Sequence, residues 1–253
     1  MQNPKRLLGI LIVGVCIYTA FLFSSLNTQS QDTPKKAKAE EVDTSKFPTV
    51  DVLAPPQGTP EQLIKRQAKG KKYNNKYAPP IEQLNVSYLT NHSLLRLPAF
   101  PLNQSSVVVM GEIADAKAYL SEDRKQVYSE FVVNIQSVFK NDSGQVVSAN
   151  SSVVVERFGG RALLPSGKVA VVAVDNQNMP RVGVKYVLFL TGGKQDESFT
   201  ILTGYELRNG KVFPLDHVSP NHPMAQYKGQ DEATFLSELL SLVENSTASS
   251  RLN

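Results

Sequence analysis

The pattern of apolar and polar residues changes twice along the chain. Residues 7–26 carry no charge, and at about 1.5 Å per residue they are long enough to form a helix that crosses a bilayer. Residues 27–58 are mostly polar and have no apolar period, which predicts a flexible stalk. From residue 105 onward, short apolar runs and a period of two predict β-strands.

The first 26 residues determine the predicted location. Lys5 and Arg6 precede the apolar run, so the positive-inside rule keeps them in the cytoplasm and puts the rest of the chain outside it. Residues 1–26 are therefore predicted to be a signal anchor, with the chain in the cell membrane as a single-pass protein. The alternative is a secreted or periplasmic protein after signal cleavage, which is disfavoured because bulky residues stand two positions before Ala20 and Ser25.

Residues 105–216 carry the pattern of a folded β-domain. Residues 107–110 form a continuous apolar run, and the alternation shifts parity at Gly111, which predicts a β-bulge in the first strand. The clearest alternation, at residues 128–139, predicts the second strand. The turn between these two strands is predicted at 121–124, where charged residues cluster.

The later strands are short and are separated by turn residues. They are predicted at 153–158, 169–174, 185–191, 199–207 and 211–215. Asn209-Gly210 predicts a tight hairpin with a type I′ turn. Because no helices alternate with these strands, a parallel sheet is excluded, and we predict a mainly β fold with a small antiparallel β-barrel. A β-sandwich is the alternative, although such domains usually contain a core Trp and a Cys pair.

Two further regions flank the predicted barrel. Residues 59–104 are predicted to be a basic helix and an irregular connector, the helix capped by Thr59 and ended at Gly70. Residues 217–253 are predicted to be a loop, a C-terminal amphipathic helix that Asp231 caps, and a polar tail. The apolar stripe of that helix consists of Phe235, Leu236, Leu239, Leu240, Leu242 and Val243.

The amino-acid composition limits the kinds of functional site that the chain can contain. With 41% apolar and 20% charged residues, the chain is not disordered as a whole. The one cysteine, Cys16, lies in the apolar run, so the folded part has no disulfide framework, cysteine-based zinc site, iron–sulfur cluster or catalytic thiol. Lipidation of Cys16 is disfavoured because no small residue directly precedes it. No cofactor is predicted.

The positive charge is concentrated in one segment. Residues 59–80 contain six lysine and arginine residues against one acidic residue, Glu61. This segment is interpreted either as a contact for anionic lipid or polyanionic glycan, or as a solvated face beside the stalk. Nucleic acid is not expected as a partner, because the segment is predicted to lie outside the cytoplasm.

The candidates for catalysis or metal binding are weak. No nucleophile motif, phosphate-binding loop or zinc-protease motif occurs, and we predict that the chain is not an enzyme. Glu112 and Glu130 could form a carboxylate pair for glycoside hydrolysis, but outward-facing alternation also explains them. Residues 175–178 begin like a calcium loop and then depart from its pattern, while His217 and His222 are interpreted as surface loop residues.

The best candidate for ligand binding follows the third predicted strand. It consists of Glu156, Arg157, Gly159, Gly160 and Arg161. Glycines let a ligand approach the backbone, and an arginine offers a planar fork for carboxylate or hydroxyl groups. The competing interpretation is a charged rim with a bulge.

Several segments also resemble known proteins. They are Val107–Ile113, Tyr119–Asp123, Tyr128–Val133, Val138–Asn141, Pro180–Leu190 and Leu202–Leu207. Over about residues 105–216 the chain resembles exported bacterial proteins of acidobacterial type, which have no assigned activity, and it is similar to netrin-like barrels of the oligonucleotide/oligosaccharide-binding (OB) class. The best-known netrin-like members inhibit metalloproteases through an N-terminal Cys and disulfides. The predicted barrel has neither, so inhibition is not implied.

These observations together predict a non-enzymatic binding module of the cell envelope. Its expected partners are the membrane, through residues 7–26, and an envelope protein or glycan. The alternatives are an inhibitor or regulator of an extracytoplasmic enzyme and a carbohydrate-acting enzyme.

Overall fold

The computed structural model describes residues 42–84, 86–89, 96–192 and 198–250. The predicted membrane segment, residues 7–26, lies outside these ranges. Within them, no helix combines the length and the apolar character that crossing a membrane requires.

The described residues contain two α-helices and ten strands. The helices are α1 (Pro60–Lys71) and α2 (Glu232–Ser250). The strands are β1 (Thr49–Asp51), β2 (Val86–Leu89), β3 (Val107–Leu120), β4 (Val127–Asn141), β5 (Ser152–Phe158), β6 (Gly160–Leu163), β7 (Val169–Val174), β8 (Lys185–Gly192), β9 (Phe199–Arg208) and β10 (Lys211–Pro214). The prediction of a mainly β fold with a C-terminal helix is thus confirmed.

The larger sheet has six strands in the order β10-β9-β5-β4-β3-β8, and β9 also pairs with β8. The predicted closed barrel is not formed. The contact that would close it joins β5 to β9 in parallel over only two residue pairs, Val155 with Phe199 and Glu156 with Thr200. Strand β5 itself ends at Phe158, where Gly159 and Gly160, both at positive φ, turn the chain out of this sheet.

The smaller sheet corrects the expectation that parallel pairing is excluded. Its order is β1-β6-β7-β2, and both edge strands, β1 and β2, run parallel to their neighbours. These strands come from the segments predicted as stalk and connector. Both strands join the sheet through backbone pairing, and β1 lies between the buried residues Phe47 and Val52, which no apolar period marks.

Local predictions within the larger sheet are confirmed. The register between β3 and β4 shifts on either side of Gly111, where a Cβ atom would lie 2.4 Å from the carbonyl oxygen of Asn134. Only glycine allows this close approach of two backbones. Strands β9 and β10 form the predicted hairpin, with Asn209 and Gly210 at φ 53° and 68°.

Both helices begin as predicted. The hydroxyl of Thr59 accepts the N–H of Gln62, whose side chain accepts the N–H of Thr59 in return. Asp231 accepts the N–H groups of Ala233 and Thr234, each at 3.1 Å. The predicted stripe of α2 is only partly used. Phe235, Leu239 and Val243 are buried against the larger sheet, whereas Leu240 and Leu242 are exposed.

Candidate binding site

The five predicted site residues lie where β5 leaves the larger sheet and β6 enters the smaller one. Glu156 and Arg157 are consecutive residues of a strand, so their side chains point to opposite faces. The structure therefore divides the predicted site into two parts, one beneath α1 and one on the other side of β5.

Arg157 belongs to a buried ion pair. Its side chain is 1% exposed, and Nη2 lies 2.8 Å from Oδ2 of Asp216, which is equally buried. The same Asp216 oxygen accepts the hydroxyl of Thr203, and its other oxygen accepts the N–H of Asn178. Arg157 Nη1 donates to the carbonyl oxygen of Asn178. Arg157 therefore fixes the loop that contains Asn178 and has no open path to a ligand.

The two glycines serve close packing at the corner. A Cβ atom on Gly159 would lie 2.9 Å from the carbonyl oxygen of Val172, and one on Gly160 would lie 2.7 Å from a methyl group of Val127. Both have positive φ, at 106° and 150°. The corner thus needs glycine for backbone geometry, independently of any ligand.

Arg161 reaches the segment before β1. Its Nη1 donates to the carbonyl oxygen of Ser45 at 2.7 Å. Each predicted arginine thus holds a backbone carbonyl of a different segment, Arg157 that of Asn178 and Arg161 that of Ser45. Residues of both segments line a small cleft, in which each segment forms one wall.

The cleft has a volume of about 150 Å³. Its lining consists of Asp43, Lys46, Phe47, Asn178, Met179, Arg181, Tyr186, Glu206, Pro214 and Leu215. The apolar members Phe47, Met179 and Leu215 are buried. The cleft therefore offers charged and polar groups beside an apolar surface.

Two ion pairs supply the charges of the cleft. Lys46 Nζ lies 3.1 Å from Oδ2 of Asp43, and Arg181 Nη2 lies 2.7 Å from Oε2 of Glu206. Hydrogen bonds from Ser45 and Lys46 lower the pKa of Asp43, and the Tyr186 hydroxyl and Glu206 raise the pKa of Arg181. The cleft therefore presents fixed charges of both signs at neutral pH.

Sequence reasoning missed these cleft residues. They come from four segments, around residues 43–47, 178–186, 206 and 214–215, and no motif connects them. One signal in the sequence is the Asp175–Asn178 loop, which contains the cleft residue Asn178 but begins like a calcium loop and so indicates a different kind of site. The carbonyl oxygen of Asn178 accepts a hydrogen bond from the guanidinium of Arg157, so a cationic side chain of the protein already occupies it.

Glu156 lies on the other face of β5, beneath α1, and its side chain is fully buried. Its Oε1 is ion-paired with Lys72 and accepts the hydroxyl of Thr200. The residue directly opposite on β4 is a second carboxylate, Glu130, which lies 2.6 Å from Nζ of Lys69. This part of the predicted site is a pair of carboxylates covered by two lysines.

Aromatic residues complete this covered region. The rings of Tyr73 and Tyr128 are stacked, with centroids 4.5 Å apart and planes 13° from parallel. Burial, with the nearby carboxylates, raises the pKa of both phenols well above its usual range. The two hydroxyl groups therefore stay protonated at any physiological pH.

The cations of residues 59–80 are mainly engaged within the fold. Lys69, Lys71 and Lys72 pair with Glu130, Glu122 and Glu156 of the sheet, in that order. The guanidinium of Arg66 lies 4.5 Å from the ring centroid of Tyr119. The sequence suggested contact with an anionic lipid or glycan, or a solvated face, and neither interpretation included pairing of these cations with the chain's own sheet.

The weaker candidates are not assembled into sites. Glu112 lies opposite Asn134 and Glu130 opposite Lys117, so the two carboxylates are five positions apart along β3 and four along β4, about 13–17 Å at about 3.3 Å per residue. A glycosidase pair needs about 5–10 Å. His222 is buried, and its Nδ1 accepts the N–H of Met224. Within the described ranges, no three His, Cys, Asp or Glu residues are grouped so that they could hold a metal ion.

No protein-family model matches the chain, and a search of curated proteins finds no significant match. The resemblance to exported bacterial proteins and netrin-like barrels therefore remains a prediction.

Proposed function

We propose that this chain is a non-enzymatic binding module of the cell envelope, anchored in the membrane through residues 7–26 or released by signal cleavage, and that it binds its ligand in the cleft. The observation that carries this proposal is the arrangement of the cleft walls. Arg157 and Arg161, which the sequence predicted as ligand contacts, each donate to the backbone of one wall. They are positioning residues for the side chains that meet the ligand.

The charges of the cleft favour a ligand that carries both signs. Lys46 and Arg181 can take a carboxylate, and Asp43 and Glu206 can take an ammonium group. A short peptide has both groups, whether it belongs to an envelope protein or is linked to an envelope glycan. The apolar surface beside them favours an aliphatic side chain on the same ligand.

We also propose that the larger sheet is a partly open five-stranded barrel of the OB class. The order β3-β4-β5-β9-β8, the additional pairing of β9 with β8 and the parallel contact of β5 with β9 support this assignment. It agrees with the sequence resemblance to netrin-like barrels.

Binding in the cleft can be tested by titration calorimetry on the full chain in nanodiscs. The probe is a soluble peptidoglycan fragment, a disaccharide with a short peptide that has free carboxylate and ammonium groups. Arg181→Ala should weaken binding at least tenfold with little change in melting temperature, because the side chain is partly exposed. The control, Lys168→Ala, changes an exposed lysine outside the cleft and should bind like wild type. Absence of binding by wild type, or equal binding by both variants, would contradict a glycan-linked peptide as ligand.

An envelope protein as ligand can be tested with a photoreactive residue at position 46 or, as control, at position 168. Envelope components should crosslink at 46 alone, and Arg181→Ala should remove the product. If both tests fail, the cleft is not a binding site. Location can be tested separately with a reporter that is active only in the cytoplasm. Fused after Asn253, it should be silent, and strong activity would contradict an extracytoplasmic domain.

A further inference from the structure

Helix α1 packs on the larger sheet without burying an apolar side chain. Gly70 is the one buried residue among its 12, and a Cβ atom there would lie 3.0 Å from the backbone nitrogen of Glu122. A helix of this length is marginal in water on its own. Contacts with the sheet must therefore hold α1, and they differ from the apolar contacts that usually dock a surface helix.

The contacts beneath α1 are made by charged groups. Lys69 and Lys72 cover Glu130 and Glu156, which face each other across β4 and β5. Carboxylates in that relation have Cβ atoms about 5 Å apart and repel each other. The sheet face thus requires cations above it, and Lys69 of α1 and Lys72, directly after α1, supply two at a spacing of three residues.

A second set of contacts lies at the turn between β3 and β4. Glu122 lies 3.7 Å from Nζ of Lys71 and accepts the side-chain amide of Asn74 at 3.1 Å. Asp123 accepts the N–H of Asn75 at 2.9 Å. These contacts are partly exposed, and such interactions contribute little and weaken with salt.

The chain on both sides of α1 is anchored independently of it. Val52 and Ile81 are buried in one cluster with Ala162 and Val172 of the smaller sheet. Residues 53–58, between Val52 and the helix, are all exposed. The segment 53–80, which we call the strap, can therefore leave the sheet without either of its ends leaving the fold.

We propose that the sheet face beneath the strap is a docking surface for a basic helical segment of a partner protein, which binds by displacing the strap. The surface consists of Tyr119, Glu122, Tyr128, Glu130 and Glu156. Its chemistry is acidic and aromatic, and the strap itself demonstrates what fits: two lysines three positions apart, followed at once by a tyrosine that stacks on Tyr128. When the partner segment displaces the strap, each ion pair and the ring contact that the strap made are replaced by an equivalent contact with the partner. This proposal is independent of the cleft.

Strap release can be measured by amide hydrogen exchange on the full chain. Lys69→Gln breaks the ion pair with Glu130 and should raise the exchange rate of residues 60–71 at least tenfold while strands β3, β4 and β5 stay protected. Raising NaCl from 0.05 to 0.5 M should act in the same direction. The matched control is Lys65→Gln, since Lys65 pairs with Glu61 of the same helix and should leave exchange unchanged. If α1 exchanges only together with the strands, the strap does not open and the proposal is wrong.

Docking can be measured with a fluorescent peptide of residues 59–77 as the basic segment. The Lys69→Gln chain should bind it at least tenfold more tightly than wild type, whose strap competes, and a peptide with glutamine in place of Lys69 and Lys72 should not bind. A chain whose strap is open by hydrogen exchange but which does not bind the peptide would overturn the docking surface. A dimer of that chain in sedimentation would assign the surface to the strap of a second copy and would also overturn a separate partner.

Discussion

Glu130 and Glu156 lie directly opposite each other on neighbouring strands, and each carboxylate contacts a different lysine of the segment that covers them. Glu156 is fully buried, whereas its partner Lys72 is 43% exposed. The pair is therefore asymmetric. Loss of the lysine leaves a buried charge without compensation, whereas loss of the carboxylate charge leaves a lysine that can reach water.

This asymmetry predicts unequal effects of two substitutions on the free energy of unfolding. Lys72→Met should lower the free energy of unfolding by about 2 kcal/mol or more, because a buried carboxylate then has no counter-charge. Glu156→Gln should change it by less than about 1 kcal/mol, because the repulsion with Glu130 disappears together with the ion pair. Urea denaturation at pH 7 measures both. Equal losses for the two variants would show that the pair is not asymmetric.

Substitutions of the two arginines of the predicted site should lower the free energy of unfolding by different amounts, measured in the same way. Arg157→Ala leaves the buried Asp216 without a counter-charge and should lower the free energy of unfolding by roughly 3–5 kcal/mol. Arg161→Ala removes one hydrogen bond to the backbone of Ser45 and should cost about 1 kcal/mol. Ligand binding by an Arg161 variant is therefore informative, whereas an Arg157 variant reports mainly on folding. A stable Arg157→Ala chain would contradict the role of the buried ion pair.

Two glycines offer a matched test of close packing. Gly111→Ala would put a Cβ atom 2.4 Å from a backbone oxygen, so β3 and β4 must move apart, and we expect a loss of about 2–3 kcal/mol. Gly144→Ala meets open space and has only the cost of its positive φ, about 1 kcal/mol. Thermal unfolding should rank the variants in this order. The reverse order would mean that the bulge at Gly111 is not needed.

Stability should fall at alkaline pH. Burial raises the pKa of several tyrosines, which are Tyr73, Tyr119, Tyr128, Tyr186, Tyr205 and Tyr227. Their phenols ionise near pH 10 in the unfolded chain and at higher pH in the folded one. Above about pH 10 the folded state therefore holds more protons, and the free energy of unfolding falls as the pH rises, by up to about 1.4 kcal/mol per pH unit for each tyrosine.

Urea midpoints between pH 8 and 11 measure this fall. Tyr128→Phe should make it shallower, because one buried phenol is removed. The control is Tyr77→Phe, whose ring is 85% exposed and which should leave the curve unchanged. A curve that stays flat to pH 11 in the wild type would contradict the burial of these phenols.

The sequence by itself determined the local structure. The alternation of apolar and polar residues predicted the strands of the larger sheet, and the shift in that alternation predicted the bulge at Gly111. The Asn209-Gly210 pair predicted the hairpin. Thr59 and Asp231 marked the starts of the helices. Each of these features depends on residues within about four positions of one another, where backbone geometry and hydrogen bonding leave few choices.

Tertiary structure alone decided the candidate sites. The sequence selected Glu156 and Arg157 as neighbours, but their roles come from partners far along the chain, Lys72 and Asp216. The same holds for the parallel edge strands β1 and β2, which no apolar period marks. Period and turn chemistry specify how a segment is built, whereas register, the face a side chain takes and the partner it meets depend on how distant segments pack. For that reason Lys72 and Asp216 could not be predicted as the partners of Glu156 and Arg157, although the alternation of a strand already places these two side chains on opposite faces of β5.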